Sequence, residues 1–252
     1  MGRGFALRHP TALIAAVRSL LTYVAVAAYV LVIGPPALLF ALLVGRVGFL
    51  YKLGHLGIRM GLFLSGIRSR VFGQEHIQHA RAAVYAVNHA SNVEPPIIFD
   101  ALHALFPKLR ILYKAELRKL PILVRAFDLA GFVPLERGNR AQSRPAIGVA
   151  AEALRSGNSF LIFPEGTRSR TGELLPFKKG GVIMAIQAQA PIVPVAIKGA
   201  RDAMRKGSFT IQPVTVTVRF GEPVETAGFT IDDRDTVIQE VRGRIESLLN
   251  VE

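Results

Sequence analysis

The chain has 252 residues, half of them hydrophobic, with a mean hydropathy of +0.35 and a formal net charge of +13. That length fits one globular domain plus an appendage, and the hydropathy is high for a purely soluble protein. Cysteine is absent, which excludes disulfides, thiolate metal sites and a thiol nucleophile together.

The positive charge is concentrated at the front. Residues 1–81 hold nine Lys and Arg against one acid, Glu75. Cations flanking a hydrophobic segment fit contact with anionic lipid head groups, at roughly 1 kcal/mol each. Nucleic-acid binding is the rival use of a basic chain. Here the cations are interleaved with Leu, Val and Ile rather than clustered on a polar helix, so no nucleic-acid partner is expected.

Residues 20–50 are almost uninterrupted apolar, broken only by Gly34-Pro35-Pro36 and Gly45-Arg46. Crossing the hydrocarbon core takes about 20 apolar residues. Residues 20–34 and 37–44 are each too short, and the prolines break or kink a helix. Three readings stay open: a single kinked span, a helical hairpin that dips into one leaflet and returns, and a signal peptide. Arg18 and the lack of a small-residue cleavage site disfavour the last. Arg3, Arg8 and Arg18 precede the segment, and Arg46, Lys52 and Arg59 follow it. Loop charge therefore does not settle the orientation, and positive charge on both sides leans toward the hairpin, which keeps both ends cytoplasmic. The expected division is a membrane-associating helical segment over 1–66 and a catalytic domain over 67–252. Gly54, Gly57 and Gly61 either permit close helix packing or mark an amphipathic surface stretch.

Beyond the appendage, short apolar runs alternate with longer helical patterns. Residues 83–88 (AVYAVN), 109–113 (LRILY), 131–135 (GFVPL), 159–163 (SFLIF) and 192–197 (IVPVAI) read as strands. Helices are expected over 96–106, 122–130, 140–156 and 180–190. Residues 213–220 (PVTVTVRF) alternate strictly and read as a later strand. Residues 232–249 close the chain as an amphipathic helix with Val237, Val241, Ile245 and Leu248 on one face. The alternation predicts an α/β layered domain with a largely parallel sheet flanked by helices.

Two motifs follow such strands, where ligands gather in open α/β sheets. The first is Asn88-His89-Ala90-Ser91-Asn92-Val93-Glu94-Pro95-Pro96. His89 and Glu94 are five apart and cannot pair on one regular helix. They can pair if a loop leads into a helix, with Glu94 extended before proline and a proline in the first helical turn. The carboxylate would then fix the imidazole tautomer, making His89 a general base. A Ser91–Glu94 capping box would strip hydrogen bonds at both prolines, and His89 as a core histidine is the bland alternative. No G-x-S-x-G elbow exists, so direct activation of a substrate hydroxyl is simpler than a nucleophilic Ser91. His76-x-x-His79 fits a solvated turn better than a metal site, and no metal is expected.

The second motif is Phe163-Pro164-Glu165-Gly166-Thr167-Arg168-Ser169-Arg170. Gly166 permits a tight turn, Arg168 can grip a phosphate bidentately, and Glu165 is placed to orient Arg168. Lys114 and Arg137 end two other predicted strands. Each alone reads as a surface cation; together at three strand ends they point to an anion site.

These blocks resemble the glycerolipid acyltransferase family that includes the 1-acyl-glycerol-3-phosphate acyltransferases. The family's N-H-x4-D block is similar to N-H-A-S-N-V-E-P here, its F-P-E-G-T-R-S block matches 163–169, its V-P-V-A block matches 193–196, and a strand ending in arginine matches GFVPLER. The likeness covers roughly 70–220. It implies direct acyl transfer from an acyl thioester to the hydroxyl of lysophosphatidate, with His89 as base and Glu94 as its partner. Arg137 and Arg168, with Lys114, would bind the acceptor phosphate, and Glu165, Gly166 and Thr167 would shape that subsite. Acyl-CoA or acyl-carrier protein would be the co-substrate, with no other cofactor. The setting would be the membrane, with the catalytic domain on the cytoplasmic face. One departure stands out: Glu94 replaces the family's Asp. Acylation of another lysolipid, transacylation between phospholipids, and a non-catalytic membrane lipid-binding protein remain the alternatives.

Overall fold

The computed structural model describes residues 10–119, 121–136 and 140–251. Arg137 therefore lies outside the described residues. The chain begins with two long helices, α1 (Pro10–Val44) and α2 (Gly48–Ser65), which reverse direction at Gly45 and Arg46. The expected break at Gly34-Pro35-Pro36 is not there: α1 runs through both prolines. Proline's fixed φ is itself helical, so what is lost is the two N–H donors and not the helical path.

The two helices pack closely because α2 is bare at the contact. A Cβ on Gly57 would lie 2.8 Å from the Tyr29 ring, and one on Gly61 would lie 3.2 Å from Val26. The Tyr29 hydroxyl donates to the Leu53 carbonyl at 2.8 Å. Gly54 faces open space, so the close-packing reading holds for the other two glycines. Gly66, at φ +74°, caps α2 in the left-handed region that favours glycine.

The pair is seated on the rest of the chain at both ends. Near the N-terminus of α1, Ser19 Oγ accepts the Ile211 N–H at 2.8 Å. Toward its other end Ala37 and Ala41 are buried, and α1 also packs on the helix Pro121–Leu129. In α2 the buried Tyr51 ring lies 5.0 Å from Phe106 and 6.1 Å from Phe132. The outer face of α1 stays apolar and uncovered, with Leu20, Leu31 and Leu43 all exposed.

Seven strands make one sheet: β1 (Arg68–Phe72), β2 (Val84–Val87), β3 (Leu109–Lys114), β4 (Val133–Leu135), β5 (Ser159–Ile162), β6 (Ile192–Lys198) and β7 (Thr215–Phe220), in the order β1-β7-β6-β2-β5-β3-β4. All neighbours are parallel except β6 and β7. The helices are α3 (Glu94–Ala101), α4 (Pro121–Leu129), α5 (Arg140–Arg155), α6 (Gly180–Ala188), α7 (Ala200–Ala203) and α8 (Arg234–Asn250). This is the expected α/β architecture with one addition. β1 was not foreseen, because RSRVF has no apolar run and lies at the sheet edge.

The central strands are apolar on both faces, as buried parallel strands must be. Tyr85, Val87, Leu161, Val193 and Val195 join one core with α3 and the loop before β7. Val84, Ala86, Phe160 and Ile162 join the other, with α5, α6 and α8. β2 lies between β5 and β6, so its carboxyl end opens at the middle of the sheet edge.

Candidate active site

Parallel pairing brings the ends of β2, β3, β4, β5 and β6 to one edge. Beyond β2, the Asn88 amide locks the strand end to β6. Its Nδ2 donates to the Ile197 carbonyl at 3.0 Å, and its Oδ1 accepts the Ile197 N–H at 2.7 Å. The chain then turns through His89 and Ser91 into α3.

Glu94 is the first residue of α3 and is fully buried. The expectation of an extended Glu94 is therefore corrected. A residue before proline avoids the helical region by a modest preference, and here three contacts outweigh it. The carboxylate accepts the Ala90 N–H with both oxygens at 2.9 Å, and its Oε2 lies 2.6 Å from His89 Nδ1. Pro95 and Pro96 fall within the first turn, where N–H groups have no intrahelical partner to lose. The positive end of the helix also favours a carboxylate there.

A carboxylate only accepts, so Nδ1 carries the proton and donates it to Glu94. Nε2 is left as the basic nitrogen. The His89 side chain is 13% exposed, and the Phe163 ring packs 4.2 Å from it. Ser91 serves the loop instead of the chemistry. It is buried, donates its hydroxyl to the Met204 carbonyl at 2.7 Å and accepts the Val93 N–H at 3.3 Å.

The second motif closes over the first. Glu165 is buried, and both of its oxygens are spent on backbone: Oε1 accepts the His89 N–H at 2.6 Å and Oε2 the Leu175 N–H at 2.9 Å. The Ser169 N–H returns a bond to the His89 carbonyl at 2.7 Å. The Glu165 carboxylate thus holds the histidine loop and does not orient Arg168, as its neighbouring position had implied. Burial pushes its pKa above the ordinary carboxylate value; the two N–H donors and His89 pull it back.

Gly166 turns the loop at φ +68°, where a Cβ would press on Lys178 at 3.2 Å. Thr167 is exposed and Arg168 half-buried. No hydrogen bond or ion pair engages the Arg168 guanidinium among the described residues, while its carbonyl accepts Lys206 Nζ at 2.8 Å. Lys206 also donates to Thr167 Oγ1 at 3.3 Å. Lys206 and Asn88 escaped sequence reasoning. Asn88 adjoins the histidine and was legible as part of its motif. Lys206 sits in an unremarkable loop 38 residues after Arg168, with no signal of its own.

Lys114 ends β3 at the same edge, with β5 between it and β2. Two strand spacings put it about 10 Å to the side. It pairs with Glu116 at 2.9 Å, both half-exposed. Such surface pairs are worth about 0–1 kcal/mol, so a phosphate can displace the carboxylate. His76 lies 3.9 Å from Glu75 in a short turn. Among the described residues no group of three or more His, Asp or Glu is arranged to hold a metal ion.

A family model described as Acyltransferase matches residues 68–198, more than half of the chain. The chain belongs to the acyltransferase family. This acyltransferase is 35% identical over 197 residues to the 1-acyl-sn-glycerol-3-phosphate acyltransferase of Limnanthes douglasii, covering 78% of this chain and 68% of that one. It is 30% identical over 181 residues to the alpha form of the same enzyme from Homo sapiens, covering 71% and 63%. Among solved structures it is similar to the 1-acyl-sn-glycerophosphate (LPA) acyltransferase PlsC from Thermotoga maritima. The TM-score is 0.77 at 27% identity, over 96% of this chain and 99% of that one. The chain thus spans about two thirds of the length of these plant and animal relatives and nearly all of the bacterial one.

Proposed function

We propose that this acyltransferase moves a fatty acyl group from an acyl thioester to the free hydroxyl of 1-acyl-sn-glycerol-3-phosphate, giving phosphatidate for phospholipid synthesis. His89 Nε2 removes the hydroxyl proton as the oxygen attacks the thioester carbonyl. The tetrahedral adduct collapses, the C–S bond breaks, and the departing thiolate takes the proton from His89. Glu94 fixes the tautomer and stabilises the imidazolium between the two steps. Arg168 receives the acceptor phosphate with two parallel hydrogen bonds, with Lys114 adding charge at a neighbouring strand end and Arg137 assigned to the same anion by the family block alone. Gly166 and Thr167 shape the turn on which Arg168 stands. No cofactor or metal enters this scheme; the donor is acyl-CoA or acyl-carrier protein.

The single observation that carries this reading is the 2.6 Å His89–Glu94 pair, held by the same loop that presents Arg168. The two relatives and the solved structure named for acylation of this lysolipid point the same way as the geometry.

The site works at a membrane in this proposal. Residues 12–44 of α1 include an 18-residue stretch of mean hydropathy 2.3 and are long enough to cross a bilayer. Yet α1 is tied to the catalytic part at Ser19 and Tyr23 and also packs on α4, attachments that fit a helix lying along the domain better than one crossing to the far side. We place the α1–α2 pair in one leaflet, with the catalytic domain on the cytoplasmic face.

The test is acyl transfer by the full chain in detergent, offering acyl-CoA and acyl-carrier protein against lysophosphatidate, glycerol-3-phosphate and neutral lysolipids. His89-dependent product from lysophosphatidate supports the proposal and names the donor. Product from another acceptor alone keeps the mechanism and moves the substrate. No product from any pair favours the lipid-binding alternative.

A further inference from the structure

The segment between α7 and β7 is a compact closed loop. Its ends meet through the Gln212 N–H and the Ala203 carbonyl at 2.7 Å. Inside it, the Ser208 N–H bonds the Arg205 carbonyl at 2.9 Å and the Thr210 N–H bonds Ser208 Oγ at 3.0 Å. At its tip Phe209 is 82% exposed, more than any other large hydrophobic outside α1 and α2 among the described residues. A lone exposed apolar residue is ordinary. This one is held in place and has a specific neighbour.

The neighbour is α1. The Tyr23 hydroxyl donates to the Phe209 carbonyl at 2.9 Å, and Ser19, one turn earlier on the same helix face, accepts the Ile211 N–H at 2.8 Å. Around that attachment α1 exposes Leu13, Val17, Leu20, Leu21 and Val24. Phe209 is therefore continuous with the uncovered apolar face of α1. The surrounding stretch, 198–212, carries Lys198, Arg201, Arg205 and Lys206 against one acid, Asp202. An aromatic tip beside a cationic rim is the composition that favours an anionic bilayer interface.

We propose that the 204–212 loop is a separate membrane contact of the catalytic domain. It inserts Phe209 below anionic lipid head groups, with Arg205 at their level. The proposal rests on the placement of α1 in the leaflet. It adds that bilayer engagement reaches the active-site loops directly. The Met204 carbonyl holds Ser91, and Lys206 holds the Arg168 carbonyl. The loop that meets lipid thus braces both the histidine turn and the arginine turn.

The chain contains no tryptophan, so each substitution gives a single fluorescent reporter. Full-length Phe209→Trp, Leu31→Trp and Phe229→Trp are reconstituted in phosphatidylglycerol–phosphatidylcholine vesicles with and without brominated acyl chains. Leu31 reports the outer face of α1. The Phe229 carbonyl accepts a bond from Gln189, just before β6 and so at the end of that strand opposite the 204–212 loop. The expected result is blue-shifted, bromine-quenched emission for Phe209→Trp and Leu31→Trp, and neither effect for Phe229→Trp. Quenching at Leu31 with none at Phe209 overturns the loop contact and leaves the α1 placement standing. No quenching at either position removes the membrane reading itself and this proposal with it. As a second readout, Phe209→Ser with Arg205→Glu is expected to weaken partitioning to the anionic vesicles about fivefold or more, with unchanged turnover of detergent-dispersed substrate. Unchanged partitioning counts against the contact.

Discussion

The backbone N–H of His89 donates to the Glu165 carboxylate at 2.6 Å. The hydrogen bonds that join the two motifs therefore run through the main chain of the histidine, while its ring only packs on Phe163. Glu165→Gln keeps one acceptor and sets an amide NH2 against the other N–H. One buried donor is left without a partner, costing about 1–3 kcal/mol. We expect kcat to fall more than the acceptor KM rises, because the histidine loop is displaced while the phosphate site keeps its residues. Equal loss in both would point to general unfolding.

The same carboxylate gives a pH signature. Its folded-state pKa is raised, chiefly by burial. The folded state then binds the proton more readily than the unfolded chain. Stability from this group rises as pH falls through the raised folded value toward the ordinary carboxylate range. Compared with Glu165→Gln, wild type should gain ground in urea melts as pH drops from 7 toward about 4.5. A gap that narrows over that window contradicts the assignment.

His89→Ala should lower acyl transfer by about 10²–10⁴-fold. Circular dichroism should be unchanged, since Glu94 keeps its bonds to the Ala90 N–H. Turnover within a factor of a few of wild type would remove His89 as the base.

At Glu94, the glutamine and aspartate variants should separate. Glutamine presents an NH2 that favours the wrong imidazole tautomer, and we expect a loss on the order of 10²–10³-fold. Glu94→Asp restores the residue found in the family block at the same spacing, and should keep activity within about tenfold. Collapse of the aspartate variant would show a loop built around the longer side chain.

Arg168→Ala should raise the KM for a phosphate-bearing acceptor by about 10–100-fold, the scale of a charged hydrogen-bonded pair, with a smaller change in kcat. Lysine at this position should rescue only in part, lacking the planar fork. An unchanged KM would place the phosphate elsewhere.

Gly57→Val should part α1 from α2. Its added atoms meet the Tyr29 ring from 2.8 Å, and overpacking costs about 1–3 kcal/mol. Gly54→Ala, in open space, is the matched control and should leave thermal stability near wild type or above. Similar melting of the two variants would show that the contact yields easily.

Much of this architecture was legible because buried parallel strands are written as short apolar runs. AVYAVN, SFLIF and IVPVAI became β2, β5 and β6. The RSRVF strand was not legible, since an edge strand needs only a backbone partner, which β7 supplies. The prolines of α1 misled in the opposite sense: they mark lost hydrogen bonds, which need not end a helix. At the site, the five-residue spacing and the prolines announced the His89–Glu94 pair. The task of Glu165 was hidden, because its partners are N–H groups and any residue type supplies those.

The strand order also sets when the catalytic base can take shape during synthesis. β2 pairs only with β5 and β6, and β1 only with β7. When the ribosome has made His89 and Glu94, neither flanking strand yet exists, and Glu165 and Leu175 are still untranslated. Helices α1 and α2 are made before β2, and β5 and β6 only after it. The base and its carboxylate are thus written early and become competent late, when the second half of the chain threads back beside a strand left waiting.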